Sequence, residues 1–168
     1  QGFVRDYEAL FKRKNGEPIH VSLSSHVWRD SRGKIRGYRG FVVDRTKEKL
    51  MRDRLTLSET KYRRLFENIK DGLFISDARG AVIDCNQALL DIIGFTKEEF
   101  LRMDYYKKLF IDHELVTDFR RKMTREGMVR DYELKIVRKD GAARDVSMSG
   151  YVGRDHSGEV INYHGMMK

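Results

Sequence analysis

The sequence has little of what builds disulfide-rich, zinc-dependent or membrane-spanning proteins. One cysteine among 168 residues excludes an intrachain disulfide framework and any multi-cysteine zinc site. A single proline argues against long irregular linkers. No stretch approaches the roughly 20 uninterrupted apolar residues of a transmembrane helix, and Gln1 leads straight into charged, strand-like sequence rather than a secretory signal. The 40% hydrophobic residues are enough to bury a core, which excludes wholesale disorder.

Charge is abundant but unevenly distributed. The net charge is +8, which invites a nucleic-acid interpretation. Residues 1–60 hold 14 Lys and Arg against 8 Asp and Glu, a net +6, whereas residues 61–168 hold 20 against 18. We therefore favour a mixed, solvated surface. A module that binds nucleic acid or an acidic partner through the basic first third remains an alternative function.

The chain contains an internal repeat. Residues 2–43 align with residues 127–168 without a gap, at an offset of 125, with 18 identities in 42 positions. Each copy predicts three strands joined by two hairpins. In the second copy the strands are expected at Tyr132 to Val137, Arg144 to Val152 and Val160 to Met167. The middle strand alternates, which places Val146, Met148, Gly150 and Val152 on one face.

Only the second copy has strands and helices in front of it. Gly72 to Asp77 and Ala81 to Cys85 are typical of short strands. Asn86 is predicted to cap a short helix that Gly94 ends. Thr96 to Glu99 forms a capping-box pattern, and a longer helix is expected from about His113 to Arg125. The order predicts an α+β unit, a five-stranded antiparallel sheet with helices on one face.

Three motifs of the second unit occur together: Asn86-x-Ala88, Gly94-Phe95-Thr96-x-x-Glu99-Phe100 and Arg138-Lys139-Asp140-Gly141. On these motifs the unit resembles a PAS domain. The resemblance implies structural roles for Asn86, Gly94, Asp140 and Gly141. Residues 2–46 resemble the back half of a preceding PAS domain, and Asp44-Arg45-Thr46 stands where that family carries its Asp-x-Thr exit motif, with Arg45 in place of an apolar residue. Both ends of the chain are expected to be cuts through a longer protein.

The predicted organisation is therefore a partial three-stranded meander in residues 1–46, a connecting signalling helix in residues 47–66 and a complete PAS domain in residues 67–168. Residues that would form a coiled-coil seam follow a 4-3-4-3 spacing along the helix: Met51, Leu55, Ser58, Tyr62 and Leu65. A solvated connector that packs on its own domain is the alternative. The resemblance favours helices that pair in dimeric receptors.

The candidate ligand pocket lies under the helices of the complete unit. Its expected lining residues are apolar: Phe74, Phe110, Phe119, Met123, Leu134, Ile136, Val146 and Met148. A plainly packed core is the competing interpretation. If a ligand binds there, an unidentified small metabolite fits better than a multiply charged one. No metal site is predicted.

No cofactor is predicted, and flavin and haem are both disfavoured. Cys85 ends a strand outside any flavin-type Asn-Cys-Arg motif and is interpreted as an inert core thiol. His113 begins its helix, whereas haem-binding relatives carry their ligand further along, near Leu115 to Phe119, where this sequence has no histidine. His156 and His164 are assigned to a turn and a strand.

The resemblance implies a non-enzymatic sensory and signal-relay module of a bacterial signalling protein, with a sensor histidine kinase as the expected parent and the cytoplasm as its location. A homodimer is expected, without membrane or nucleic-acid contacts. Residues 2–43 would expose aromatic side chains and an open strand edge, so we predict that another chain or domain covers them. A purely structural dimerisation spacer is a further alternative.

Overall fold

A computed structural model describes residues 2–168, which form two compact units, one that ends at Lys61 and one that begins at Tyr62. The boundary falls inside one helix, α1 (Thr46–Asn68). The three-part division expected from the sequence stays a prediction. No helix in residues 2–168 is long and apolar enough to cross a membrane.

The first unit is an antiparallel three-stranded meander followed by the first part of α1. Its strands are β1 (Phe3–Lys12), β2 (Pro18–Arg29) and β3 (Ile35–Asp44), hydrogen-bonded in that order. Hairpins of this kind need little beyond well-placed turn residues, since Gly16 and Gly33 supply the positive φ angles that the two turns require. The sequence pattern alone is therefore enough to predict this sheet.

The second unit is an α+β fold. Its elements are β4 (Gly72–Asp77), β5 (Val82–Cys85), α2 (Gln87–Ile93), α3 (Lys97–Arg102), α4 (Tyr105–Leu109), α5 (His113–Glu126), β6 (Met128–Val137), β7 (Ala143–Arg154) and β8 (Val160–Met167). The antiparallel sheet has the order β5-β4-β8-β7-β6, so the last strand of the meander pairs with the first strand of the unit. This confirms the predicted fold class, including the helices on one face.

Both copies of the repeat contain the same irregularity in their first strand. The register shifts between Val4 and Tyr7 in β1 and between Val129 and Tyr132 in β6, which is a β-bulge. Asp6 and Asp131 have φ angles of 49° and 48°, unusual outside glycine. In each case the strained backbone N–H donates to a serine hydroxyl of the next strand, Ser24 Oγ and Ser149 Oγ, both at 3.0 Å. Hence β6 begins at Met128, earlier than the Tyr132 expected from the sequence.

The core of the second unit lies between the helices and the sheet. Buried residues from every element of the unit contribute to one cluster. The predicted alternation of β7 is confirmed, since Val146, Met148 and Gly150 are buried and their neighbours in the strand are less so. Burial of the apolar face is the main favourable term in holding helices on a sheet.

The first unit buries little. Within its described residues, Val21 and Ser22 are buried, while the aromatic residues Phe3, Phe11, Trp28, Tyr38 and Phe41 are between 44% and 74% exposed. The predicted exposed apolar surface is therefore present. That another chain or domain covers it stays a prediction.

Candidate functional site

Asn86 is the polar centre of the second unit and is completely buried. Its side-chain oxygen caps α2 by accepting from Leu89 N at 3.1 Å, and it also accepts from Leu73 N at 2.8 Å. Its Nδ2 donates to three backbone carbonyls around the end of α1: Phe66 at 3.1 Å, Ile69 at 3.3 Å and Asp71 at 3.0 Å. The predicted cap is confirmed, and one side chain joins the end of α1 to α2 and β4.

The start of α1 is tied to the first unit by the exit motif. Asp44 Oδ1 accepts from Thr46 N at 2.9 Å, and Thr46 Oγ1 accepts from the backbone N–H of His20 at 3.0 Å. Arg13 forms an ion pair with Asp44 at 2.8 Å. The hydrogen bonds from Thr46, and then the contact with Arg13, hold the pKa of Asp44 below its ordinary value.

The Arg138-Lys139-Asp140-Gly141 turn docks onto α2 and α3. Lys139 N donates to Ile93 O at 3.0 Å, and Lys139 Nζ pairs with Glu99 at 2.7 Å, which lowers the pKa of that carboxyl. Gly94 and Gly141 take positive φ angles of 78° and 84° at the helix end and in the turn. Asp140 Oδ1 accepts from Ala142 N at 2.9 Å and closes the turn. The motif residues thus shape the unit and do not converge on a reaction centre.

The eight predicted pocket residues are all buried in one core, each 7% exposed or less. Five of them surround a void between helices and sheet: Phe74, Phe110, Phe119, Met123 and Met148. Leu134, Ile136 and Val146 belong to the same core but do not line it. The void measures only about 20 Å³, room for about one water molecule. Their role in binding a ligand stays a prediction.

Polar groups also reach this void, and sequence reasoning missed them. Ser76 and Tyr105 are buried beside it, and Tyr106 and Tyr163 also line it. Burial raises the pKa of Tyr105 well above its ordinary value, with the neighbouring Tyr106 adding to the effect. The wall is therefore not purely apolar. Tyrosines spread over a short helix and a strand carry no pattern that would reveal such a cluster.

Cys85 is 1% exposed and is a core thiol, as the sequence predicts. Burial raises its pKa to about 11, and the Lys97 ammonium only partly offsets this. A thiol so far from ionisation is a poor nucleophile at neutral pH.

Of the histidines considered as haem ligands, His113 and His156 lie apart from the core void, whereas His164 is one of its lining residues. His113 is exposed at the start of α5, and His156 is exposed in the turn before β8. His164 contacts Asn162 Oδ1 through Nε2 at 3.0 Å and stacks on Tyr151 at 4.3 Å, while partial burial lowers its pKa. In residues 2–168, no three His, Cys, Asp or Glu side chains come together as metal ligands.

The outward face of the same sheet carries an apolar groove of about 610 Å³. The last turns of α1 bound it through Tyr62, Leu65 and Phe66, and strand residues such as Tyr151 and Met166 form its floor. Tyr62 and Leu65, two of the predicted seam residues, are 50% and 60% exposed, and Met51, Leu55 and Ser58 are exposed as well. That these residues pair with a second helix stays a prediction.

Comparison with protein families gives two matches. A model described as the PAS fold matches residues 60–168, which is more than half of the chain, and a model described as a PAS domain matches residues 1–47. A curated relative, the methyl sulfide methyltransferase-associated sensor of Methanosarcina acetivorans, is 42% identical over 52 residues. That alignment spans 30% of this chain but only 5% of the relative.

Solved structures agree with this assignment. A domain of the sensory box sensor histidine kinase/response regulator from Geobacter sulfurreducens is 28% identical, with a TM-score of 0.55 over 68% of this chain and 96% of that one. The PAS domain of a protein from Colwellia psychrerythraea is 18% identical, with a TM-score of 0.59 over 65% and 93% of the two chains, and shows the fold alone. The motifs, the strand order and the family match agree, and the chain belongs to the PAS family, whose domains are sensory and not catalytic.

Proposed function

We propose that the chain is a sensory and signal-relay segment of a multidomain signal-transduction protein, with a sensor histidine kinase as its parent. Two resemblances support the context: the Geobacter neighbour comes from a sensor histidine kinase/response regulator, and the Methanosarcina relative is a sensor. The segment itself performs no chemistry. It changes conformation when a small molecule or a partner binds, and α1 carries that change.

The observation that carries this proposal is the network around Asn86. Its three donated hydrogen bonds attach the end of α1 to the core, and its two accepted bonds attach the same side chain to β4 and α2. Since Asn86 is fully buried, shifting α2 without shifting α1 would break bonds that water cannot replace. A rearrangement of the core therefore biases the position or order of the helix.

The test removes the link while keeping the size and shape of the side chain. Asn86→Asp retains the oxygen that accepts from Leu73 and Leu89 but loses all three donated bonds. We expect backbone hydrogen exchange in residues 63–69 to rise by about tenfold or more, the equivalent of one buried hydrogen bond or more. Gln87→Ala is the matched control, because the side-chain amide of Gln87 is exposed and donates only to Asp91 in α2, at 2.8 Å. The backbone N–H of Gln87, which donates to Glu67 on α1 at 3.0 Å, is kept in this variant. Unchanged exchange in a folded Asn86→Asp protein contradicts the relay.

A homodimer is part of the proposal. The exposed apolar seam residues on α1 support it, and so does the apolar groove beside Tyr62 and Leu65, because both would lose contact with water in a dimer. Native mass spectrometry that finds a single chain at micromolar concentration contradicts this part.

The small volume of the core void favours a second candidate, a structural dimerisation spacer without a ligand. A spacer predicts dimers that retain no small molecule. Native mass spectrometry of the protein as purified therefore separates a spacer from a ligand sensor.

A further inference from the structure

Arg120 on α5 has surroundings unlike those of a surface arginine. It is half-buried, and its guanidinium carbon lies 5.3 Å from the ring centroids of both Tyr106 and Tyr163. A side chain on Gly80 would begin 3.2 Å from both Nη atoms, and Gly80 has a φ of +94° that favours glycine. The two rings and the bare backbone of Gly80 thus hold the planar group in place.

This guanidinium has no acidic partner. Within residues 2–168 its nitrogens form no ion pair and no hydrogen bond with another side chain or carbonyl. Asp77 lies in the same turn as Gly80, and its Oδ1 accepts from the backbone N–H groups of Arg79 and Ala81, both at 2.9 Å. Asp118, on the same helix, is taken by Lys122 at 2.8 Å and by the Tyr132 hydroxyl at 2.9 Å. A fixed arginine with free donors offers bidentate binding to a carboxylate.

The two tyrosines that flank Arg120 also line the core void. Beyond them the wall is apolar, formed by Phe110, Phe119 and the two methionines, while Ser76 and Tyr105 add hydroxyl groups. Methionine side chains are unbranched and repack readily, so Met123 and Met148 can enlarge a void that now measures about 20 Å³. An anion-binding group therefore stands beside an expandable, mostly apolar space.

We propose that Arg120 binds the carboxylate of a small, otherwise apolar acid, whose remaining part enters the void beside Tyr106 and Tyr163. This inference rests on the proposed sensory function and names the ligand class. It is tested separately, because the hydrogen bonds of Asn86 include neither Arg120 nor any residue that lines the void. A failure here leaves a relay driven by partner binding, whereas a failure of the Asn86 experiment leaves a ligand-binding domain without that relay.

The experiment is isothermal titration calorimetry on the 168-residue chain with three probes: hexanoate, hexanamide and inorganic phosphate. We expect saturable binding of hexanoate, with affinity at least about tenfold above that of the other two, because only hexanoate combines the charge with an apolar chain. Arg120→Gln should weaken hexanoate binding by about 10- to 100-fold, the usual effect of removing charged hydrogen bonds. The affinity of Arg120→Lys for hexanoate should lie between those of the parent chain and Arg120→Gln, since lysine keeps the positive charge but lacks the planar, bidentate guanidinium group.

Arg121→Gln is the matched control. Arg121 is the next residue on α5, and its side chain is 71% exposed. The acid it approaches is Asp118, at 3.8 Å. The Arg121→Gln variant should bind hexanoate as the parent chain does, and hydrogen exchange of α5 checks that each variant is folded. Equal binding by the Arg120→Gln and Arg121→Gln variants, no hexanoate binding at millimolar concentration, or equally tight phosphate binding would each overturn the proposal.

Discussion

The two copies of the repeat, residues 2–43 and 127–168, have the same local structure, but most of their equivalent apolar residues differ in burial. Their strands pair in the same order, and their bulges occur at equivalent aspartates. Ile136 is 0% exposed, while its counterpart Phe11 is 44% exposed; Tyr163 is 9% exposed, while its counterpart Tyr38 is 74% exposed. Hairpins are therefore specified by turns and register, whereas burial depends on the helices that pack over the sheet. The same residue type has a different energetic role in each copy.

The largest difference should appear when equivalent apolar side chains are truncated. Ile136→Ala should cost about 2–5 kcal/mol in the second unit, because it leaves a cavity in a packed core. Phe11→Ala should change the stability of the first unit by no more than about 1 kcal/mol in monomeric protein, since its side chain is half in water. Hydrogen exchange of β6 to β8 and of β1 to β3 measures the two opening free energies separately. Equal costs would mean that the face bearing Phe11 is covered in solution.

A smaller change in stability should follow when one residue of each copy is replaced by its counterpart from the other copy. Gly150 faces the core, and a Cβ there would lie 2.7 Å from Met123 Sδ and 3.2 Å from Phe119. The first copy has Ser25 at the equivalent position. Gly150→Ser should therefore cost about 1–3 kcal/mol through overpacking, while Ser25→Gly should cost less than about 1 kcal/mol. Thermal unfolding of both variants checks this, and a stable Gly150→Ser protein would show that α5 packs loosely over β7.

The smallest expected effect is a loss of stability at acid pH, which involves two carboxylates, one in each unit. Hydrogen bonds to Thr46 lower the pKa of Asp44, and the contact with Lys139 lowers the pKa of Glu99. A lowered native pKa means that the stabilisation is present above the ordinary carboxyl pKa of about 4 and is lost as the pH falls below it. Both groups lie at the surface, so the change should be small.

Carbon-13 NMR titration of the side-chain carboxyls measures both values. Asp44→Asn should remove the acid-dependent weakening at the start of α1 and leave the turn at Lys139 unaffected, and Glu99→Gln should do the reverse. Ordinary pKa values at both sites would contradict these contacts.

Much of the fold was predictable because its signals are local. The cap at Asn86, the end of α2 at Gly94 and the capping box from Thr96 to Glu99 are formed by residues a few positions apart. The repeat predicted two meanders, and alternation in β7 predicted which residues face the core. Such patterns act through local backbone hydrogen bonds and the period of the side chains, and neither depends on contacts with distant parts of the chain.

The site was predictable only in part, because its important contacts join distant segments. The apolar residues under the helices were identified, but the size of the void depends on how five side chains interdigitate. The same holds for the approach of Arg120 to Tyr106 and Tyr163, and for the bonds from Asn86 to the end of α1. Arg120 is 14 positions from Tyr106, and Asn86 is 20 positions from Phe66, and neither the helix period nor the strand period reaches that far.

The sequence by itself determined the repeat, the turns, the helix ends and the PAS resemblance, since each depends on residues that are close in the chain or on a pattern of identities. Only the tertiary structure decided which copy of the meander is buried, how little space is left in the core and where Arg120 lies without an acidic partner. Those properties follow from packing between elements that are far apart in sequence, where shape and volume decide the outcome.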